Sequence, residues 1–171
     1  MIRFRHTLLY IMAAATTAAI ITSCKLRTSY SEYRHTPLEG WEKNDTLFYD
    51  VQPARQAGRY VQMLGIRIDD SFPYTSLSLI VEQNIIHKRK SGTDSPLSYR
   101  TSYYKTDTVR CHFTDSQGRL SGPGINLHQY DFPIGTIDLR PGDSLHIKVR
   151  HTMKREIMPG VADVGIRIEQ Q

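Results

Sequence analysis

Residues 144–151 read SLHIKVRH, and apolar and polar residues alternate along this stretch. Leu145, Ile147 and Val149 share one side of an extended chain. His146, Lys148 and Arg150 share the other side. Successive side chains of a β-strand point to opposite faces of a sheet, so this period of two predicts a strand with one buried face.

The same period recurs through most of the chain. Further strand-like runs lie at 46–51, 60–68, 76–83, 130–139 and 163–169. Residues 99–114 predict either one bent strand or two strands. Between runs, Pro141 and Gly142 occupy the two positions that a type II turn prefers. With no helical apolar stripe after the N-terminal segment, about seven or eight strands predict an all-β antiparallel β-sandwich, either immunoglobulin-like or jelly-roll.

The N-terminal segment has the layout of a secretory signal. Arg3 and Arg5 precede residues 8–21, which carry no charge and are too short for a comfortable bilayer span of roughly 20 residues. The segment ends in Ile-Thr-Ser-Cys, which resembles the lipobox of bacterial lipoproteins. That resemblance implies cleavage between Ser23 and Cys24, with diacylglycerol on the Cys24 sulfur and an acyl chain on its amine. The alternative is an ordinary signal peptide with an accidental cysteine, and no other cofactor is predicted.

Three segments are therefore predicted. Residues 1–23 form the signal peptide, residues 24–40 a lipidated N-terminus with a flexible tether, and residues 41–171 the β-sandwich domain. Removing the first 23 residues leaves 148, enough for one domain with a core. It also lowers the formal net charge from +5 to +3. This mild balance, without a dense Lys/Arg cluster, predicts no nucleic-acid partner.

Catalytic motifs do not stand out in the sequence. It contains no Gly-rich phosphate loop, no His-Glu-x-x-His pair and no Gly-x-Ser-x-Gly elbow. A zinc site assembled from distant strands is the minor alternative to no metal. Cys111 shares a predicted strand face with Val109 and Phe113, which predicts a buried and inert thiol. We expect no enzymatic activity; an envelope enzyme with carboxylates brought together across strands is a rival hypothesis.

Two groups of residues are candidate binding surfaces. Tyr99, Tyr103 and Tyr104 predict either half-buried strand residues or a platform that stacks on carbohydrate. A connection at one end of the sandwich is the second group, and it is read either as a solvated charged loop or as an interaction surface. Its members are His151, Met153, Lys154, Arg155 and Glu156.

Two motifs, one near each end of the predicted domain, carry a family resemblance. Their positions are Trp41, Asp45, Phe48, His151, Met153, Pro159, Gly160, Asp163, Val164 and Gly165. Together with the lipobox, they resemble the gliding-motility lipoprotein H family, GldH, of Bacteroidota. The resemblance implies an envelope lipoprotein associated with the gliding machinery and type IX secretion, without catalytic residues.

We therefore expect a membrane-anchored protein that works through protein–protein contacts in the cell envelope. The alternative function is a glycan-binding module. Surface-exposed lipoproteins of these bacteria often carry an acidic stretch after the cysteine, whereas the first acid after Cys24 is Glu32. This absence favours a periplasm-facing anchor.

Overall fold

The computed structural model describes residues 27–87 and 102–171. Ser23, Cys24 and the predicted signal peptide lie outside these residues, as does Tyr99. Within the described ranges, no helix is long and apolar enough to cross a membrane.

The described chain forms ten β-strands. They are β1 (Arg27–His35), β2 (Trp41–Glu42), β3 (Leu47–Val51), β4 (Gly58–Asp69), β5 (Ser76–Ile86), β6 (Ser102–His112), β7 (Leu127–Leu139), β8 (Ser144–His151), β9 (Ile157–Met158) and β10 (Val161–Gln170). Sheet I has the order β1-β10-β4-β7, sheet II has the order β3-β8-β5-β6, and β2 pairs with β9 in a short ribbon. All pairings are antiparallel. The predicted all-β sandwich is confirmed.

The strand order decides between the two predicted sandwich types. The first strand pairs with the last, and consecutive long strands repeatedly cross from one sheet to the other. This interleaving of eight long strands is the arrangement of a jelly roll, in which two four-stranded sheets share one core. An immunoglobulin-like sandwich divides its strands differently.

The core lies between the two sheets. The predicted inward residues of β8, Leu145, Ile147 and Val149, are all buried. The turn at 140–143 is also as predicted, since Gly142 has a φ of 87° and the Asp143 N–H donates to the Arg140 carbonyl at 3.0 Å. The apolar face of β8, from which the sandwich was predicted, is therefore the face that sheet I covers.

The predicted flexible tether at 24–40 is wrong from Arg27 onward. Strand β1 pairs with β10 from Arg27↔Gln170 to His35↔Asp163, so the folded domain begins well before Trp41. None of the side chains from Thr28 to His35 is fully buried, and a bulge lies between Thr28 and Tyr30. An edge strand held mainly by main-chain hydrogen bonds lacks the apolar period by which strands are recognised in a sequence.

The sandwich has two ends, which we call proximal and distal. The proximal end contains the start of β1, residues 52–57 and residues 140–143; the distal end contains the β2–β9 ribbon and the loops at 36–40, 70–75, 113–126 and 152–156. Strand β4 has 12 residues and runs between the two ends. At about 3.3 Å per residue, the ends are about 40 Å apart.

Candidate functional site

The predicted interaction loop lies at the distal end. Lys154, Arg155 and Glu156 are exposed between β8 and β9. The Lys43 N–H donates to the Glu156 carbonyl at 2.8 Å, which ties the end of this loop to the segment after β2. These three charged side chains are therefore displayed on a loop that is fixed at its base.

His151 does not belong to that surface, and its assignment to an exposed loop is wrong. It is the last residue of β8 and is fully buried. Its ring packs edge-on against Trp41 with centroids 5.2 Å apart, and its Nε2 donates to the Trp41 carbonyl at 3.2 Å. Burial lowers the pKa of His151, so the neutral ring is favoured. The sequence contained the evidence for this burial, because His151 is two residues after Val149 and therefore lies on the same inward face of β8.

Two methionines, of which Met153 is a motif residue, complete this closure of the core. Met153 is half-buried and packs against the core, and Met158 is fully buried opposite Trp41 in the β2–β9 ribbon. The Trp41 indole N–H donates to the main-chain carbonyl of Asp45 at 3.0 Å. Asp45 thus contributes a main-chain oxygen to the site. These contacts make the two end motifs parts of one structural unit.

Gly160 and the preceding Pro159 form the tight connection between β9 and β10. Gly160 has a φ of +76°, and a Cβ there would lie 2.3 Å from the Phe72 nitrogen. Its carbonyl accepts a hydrogen bond from the Asp69 N–H at 2.9 Å. Glycine is needed at this position for both its backbone conformation and its space.

Asp163 and Gly165 support a side-chain cluster on the outer face of sheet I. The buried Asp163 carboxylate contacts His35 and lies 3.4 Å from the Arg67 guanidinium. The Tyr33 ring lies across Gly165, where a Cβ would come within 2.7 Å of the ring, and Arg67 stands 4.1 Å from the ring centroid. Burial raises the pKa of Tyr33. These motif positions therefore hold the edge strand β1 against its neighbours.

The distal end also carries exposed apolar side chains that the sequence patterns do not reveal. They are Leu38, Tyr74, Ile125, Leu127 and Ile157. Leu38 is 101% exposed and Ile125 is 89% exposed. They come from four separate loops and strand ends, so only the folded chain brings them to the same end.

The two described tyrosines of the predicted carbohydrate platform are both exposed, but they lie on opposite faces of β6. Tyr104 is 71% exposed on the outer face of sheet II, and Tyr103 is 59% exposed on the other face. Neither ring is half-buried, so the alternative prediction of half-buried strand residues is wrong for both. A single platform cannot use both rings. The remaining motif aromatic, Phe48, is exposed on the outer face of sheet II, where Lys148 Nζ lies 5.7 Å from its ring centroid.

A cavity of about 430 Å³ opens at the proximal end. Its walls include Thr28 at the start of β1, Ile168 of β10 and Arg55 of the loop after β3. Among the residues in the described ranges, no group of three or more His, Cys, Asp or Glu side chains could hold a metal ion. Cys111 is fully buried, as predicted, and burial raises the pKa of its thiol to about 12.

These observations define a jelly-roll domain whose end motifs build the core closure and the edge-strand support. The chain matches the model of the GldH lipoprotein family over residues 28–168, and it belongs to that family. The gliding motility lipoprotein GldH of Flavobacterium johnsoniae is 24% identical over 161 residues, which cover 90% of this chain and 92% of that protein. The predicted family is thereby confirmed.

Two solved structures show distant likeness. An aminopeptidase from a marine sediment Thaumarchaeota archaeon has a TM-score of 0.38 and 10% identity, covering 86% of this chain and 33% of its own. The Eiger TNF from S. frugiperda has a TM-score of 0.27 and 13% identity, covering 85% of this chain and 94% of its own. At these TM-scores, neither structure bears on the function.

Proposed function

We propose that this protein is a lipid-anchored component of the cell envelope that acts without catalysis, through protein–protein contacts in a gliding-associated assembly. Its family membership and the name of its Flavobacterium relative support this proposal. The family resemblance further implies a link with type IX secretion. In this proposal Cys24 carries the diacylglycerol and the N-acyl chain, and two or three chains hold a protein stably on a membrane.

The position of β1 gives the anchor a defined geometry. Only Lys25 and Leu26 separate Cys24 from Arg27, the first residue of β1. Three residue steps span at most about 11 Å. The proximal end therefore stands directly on the membrane, and the distal end reaches about 40 Å from it by the length of the sandwich. A periplasm-facing orientation is part of the proposal, because no acidic stretch follows Cys24.

The exposed apolar side chains of the distal end are the observation that carries the contact hypothesis. Leu38 and Ile125 are almost entirely in solvent, at the same end of the sandwich as the exposed charged residues Lys154 and Arg155. Large apolar side chains exposed at one end of a domain, together with charged ones, are a feature of protein-binding surfaces. These side chains lie at the end that the anchor leaves free, where confinement to a membrane plane raises the local concentration of a partner.

The anchor is tested by replacing each cysteine in turn. Cys24→Ala should abolish incorporation of radiolabelled palmitate and release the protein from the membrane fraction. Cys111→Ala is the matched control, because this buried thiol is not available for acylation, and it should retain both properties. Incorporation of palmitate into the Cys24→Ala variant would contradict the proposal that Cys24 is the lipidated residue.

The contact surface is tested by placing a photoreactive amino acid at one end or the other in living cells. At position 154 it should crosslink to proteins of the gliding or secretion apparatus, identified by mass spectrometry. The control is position 55, where the exposed Arg55 belongs to the proximal end. Equal protein crosslinking from both positions, or none from position 154, would contradict the proposed distal contact.

A further inference from the structure

A straight row of four side chains crosses the outer face of sheet II. Asp50 of β3 is opposite His146 of β8, His146 is opposite Asn84 of β5, and Asn84 is opposite Tyr104 of β6. Neighbouring strands are about 4.8 Å apart, so the row is about 14 Å long. Two linked sugar rings or a short peptide would extend over a similar length.

A second row runs beside the first and completes a shallow groove. It consists of Phe48, Lys148, Glu82 and Thr106. The groove has a volume of about 220 Å³, and Tyr104, Asn84, His146 and Glu82 are among its walls. An aromatic ring therefore stands at one side of a floor made of amide, imidazole and carboxylate groups.

Asn84 leaves an unmet hydrogen-bonding requirement in this floor. Its Oδ1 is buried and has no hydrogen-bond partner among the residues that the structure describes. A buried acceptor without a donor destabilises the fold, so native proteins usually satisfy it with a protein group, a water or a ligand. Because Asn84 as a whole is only half-buried and lines the groove, a rotation of its amide would bring this oxygen to a hydroxyl donor of a ligand.

The charges around the groove are balanced. His146 bonds to the Asp50 carboxylate, and the Arg150 guanidinium lies 3.5 Å from the Glu82 carboxylate. The two rows together with Arg150 have two cations, Lys148 and Arg150, and two carboxylates, so their formal charge is zero with His146 neutral. Nothing in this balance favours a phosphorylated or strongly acidic ligand.

We infer that this groove binds a saccharide chain. The apolar face of a sugar ring would stack on Tyr104, and its hydroxyl groups would donate to Asn84 Oδ1 and Glu82 and accept from Lys148. An aromatic wall with a few planar polar groups is the composition expected of a small-ligand site. The site lies on a sheet face and is independent of the distal contact in the proposed function.

The test uses full-length lipoprotein in a zwitterionic detergent, because detergents with sugar headgroups would compete. Binding is measured by calorimetry with chitotriose, maltotriose, cellotriose and the envelope polysaccharide fraction of the producing cells. At least one probe should bind, and Tyr104→Ala and Asn84→Ala should each weaken that binding about tenfold or more, as for an anchoring side chain. Tyr104→Phe keeps the ring and should stay within about twofold.

Tyr103→Ala is the matched control, because Tyr103 is the next residue on β6 and lies on the opposite face. It should leave binding within about twofold, and unchanged thermal melting shows that each variant is folded. Failure of all four probes to bind, or an equal loss in Tyr103→Ala and Tyr104→Ala, overturns the inference. Crosslinking from position 154 should be unaffected by Tyr104→Ala, so the saccharide site and the distal protein contact are tested independently of each other.

Discussion

A comparison of Gly160 with Gly118 separates two reasons why a position needs glycine: the backbone conformation and the lack of space for a Cβ. Their φ angles are nearly equal, +76° and +78°. A Cβ on Gly118 would meet nothing within 4 Å, whereas a Cβ on Gly160 would lie 2.3 Å from the nitrogen and 2.5 Å from the Cα of Phe72. Gly118→Ala therefore reports the conformational cost alone, and Gly160→Ala adds a collision with main-chain atoms.

The size of each effect follows from the surroundings. A left-handed conformation costs a residue with a Cβ about 1–2 kcal/mol, which applies to both variants. At Gly160 the turn carrying Phe72 must also move. Phe72 is buried and its ring packs against Phe113 at 5.1 Å between centroids. Complete loss of a buried Phe costs about 3–5 kcal/mol, so partial displacement should add about 2 kcal/mol.

Urea unfolding followed by tryptophan fluorescence measures both variants. Trp41 is the single tryptophan and is fully buried, so it reports global unfolding. We expect Gly160→Ala to lose about 3–4 kcal/mol and Gly118→Ala about 1–2 kcal/mol. The difference corresponds to a melting temperature lower by about 4–8 °C. Equal losses in the two variants would refute the claim that Phe72 excludes a side chain at position 160.

Three further predictions concern the buried and packed groups. Gly165→Ala should lower the free energy of unfolding by about 1–2 kcal/mol, because the new Cβ displaces the Tyr33 ring. In a Tyr33→Ala background the same change should cost little. Additive losses of stability in urea titrations would rule out this contact. Burial holds the pKa of His151 below its ordinary 6.5, so the unfolded chain takes up a proton more readily and stability should fall as the pH decreases from 7 to 5. His151→Gln should reduce this dependence of stability on pH. The same pH dependence in both proteins would contradict the prediction. Cys111 should resist a thiol reagent at pH 8 until urea unfolds the protein, whereas immediate modification would show that the thiol is accessible.

The motif positions acquire a physical meaning from these contacts. Trp41 and His151 close the distal end of the core together with Met158, which lies outside the motifs, and Gly160 permits the turn that follows. Asp163 holds the residues that fasten the edge strand. The motifs that carry the family resemblance are thus largely requirements of the fold. Contacts with partners are instead expected from exposed residues.

The sequence determined the parts of the protein that repeat a simple local rule. The period of two in residues 144–151 and its recurrences predicted the strands and the sandwich. Pro141 and Gly142 predicted their turn, and the apolar neighbours of Cys111 predicted its burial. Such features depend on side chains close together in the chain, so a linear pattern contains them. The resemblance of the end motifs likewise gave the family.

Only the tertiary structure decided the remaining features. Strand β1 has no apolar period because none of its side chains from Thr28 to His35 is fully buried, and its place in the sheet depends on pairing with β10, which is distant in the sequence. The jelly-roll order, the exposed apolar distal end and the row from Asp50 to Tyr104 likewise combine residues that are far apart in sequence. Main-chain pairing between distant segments fixes these relations, and the identities of neighbouring residues do not record which strands will pair.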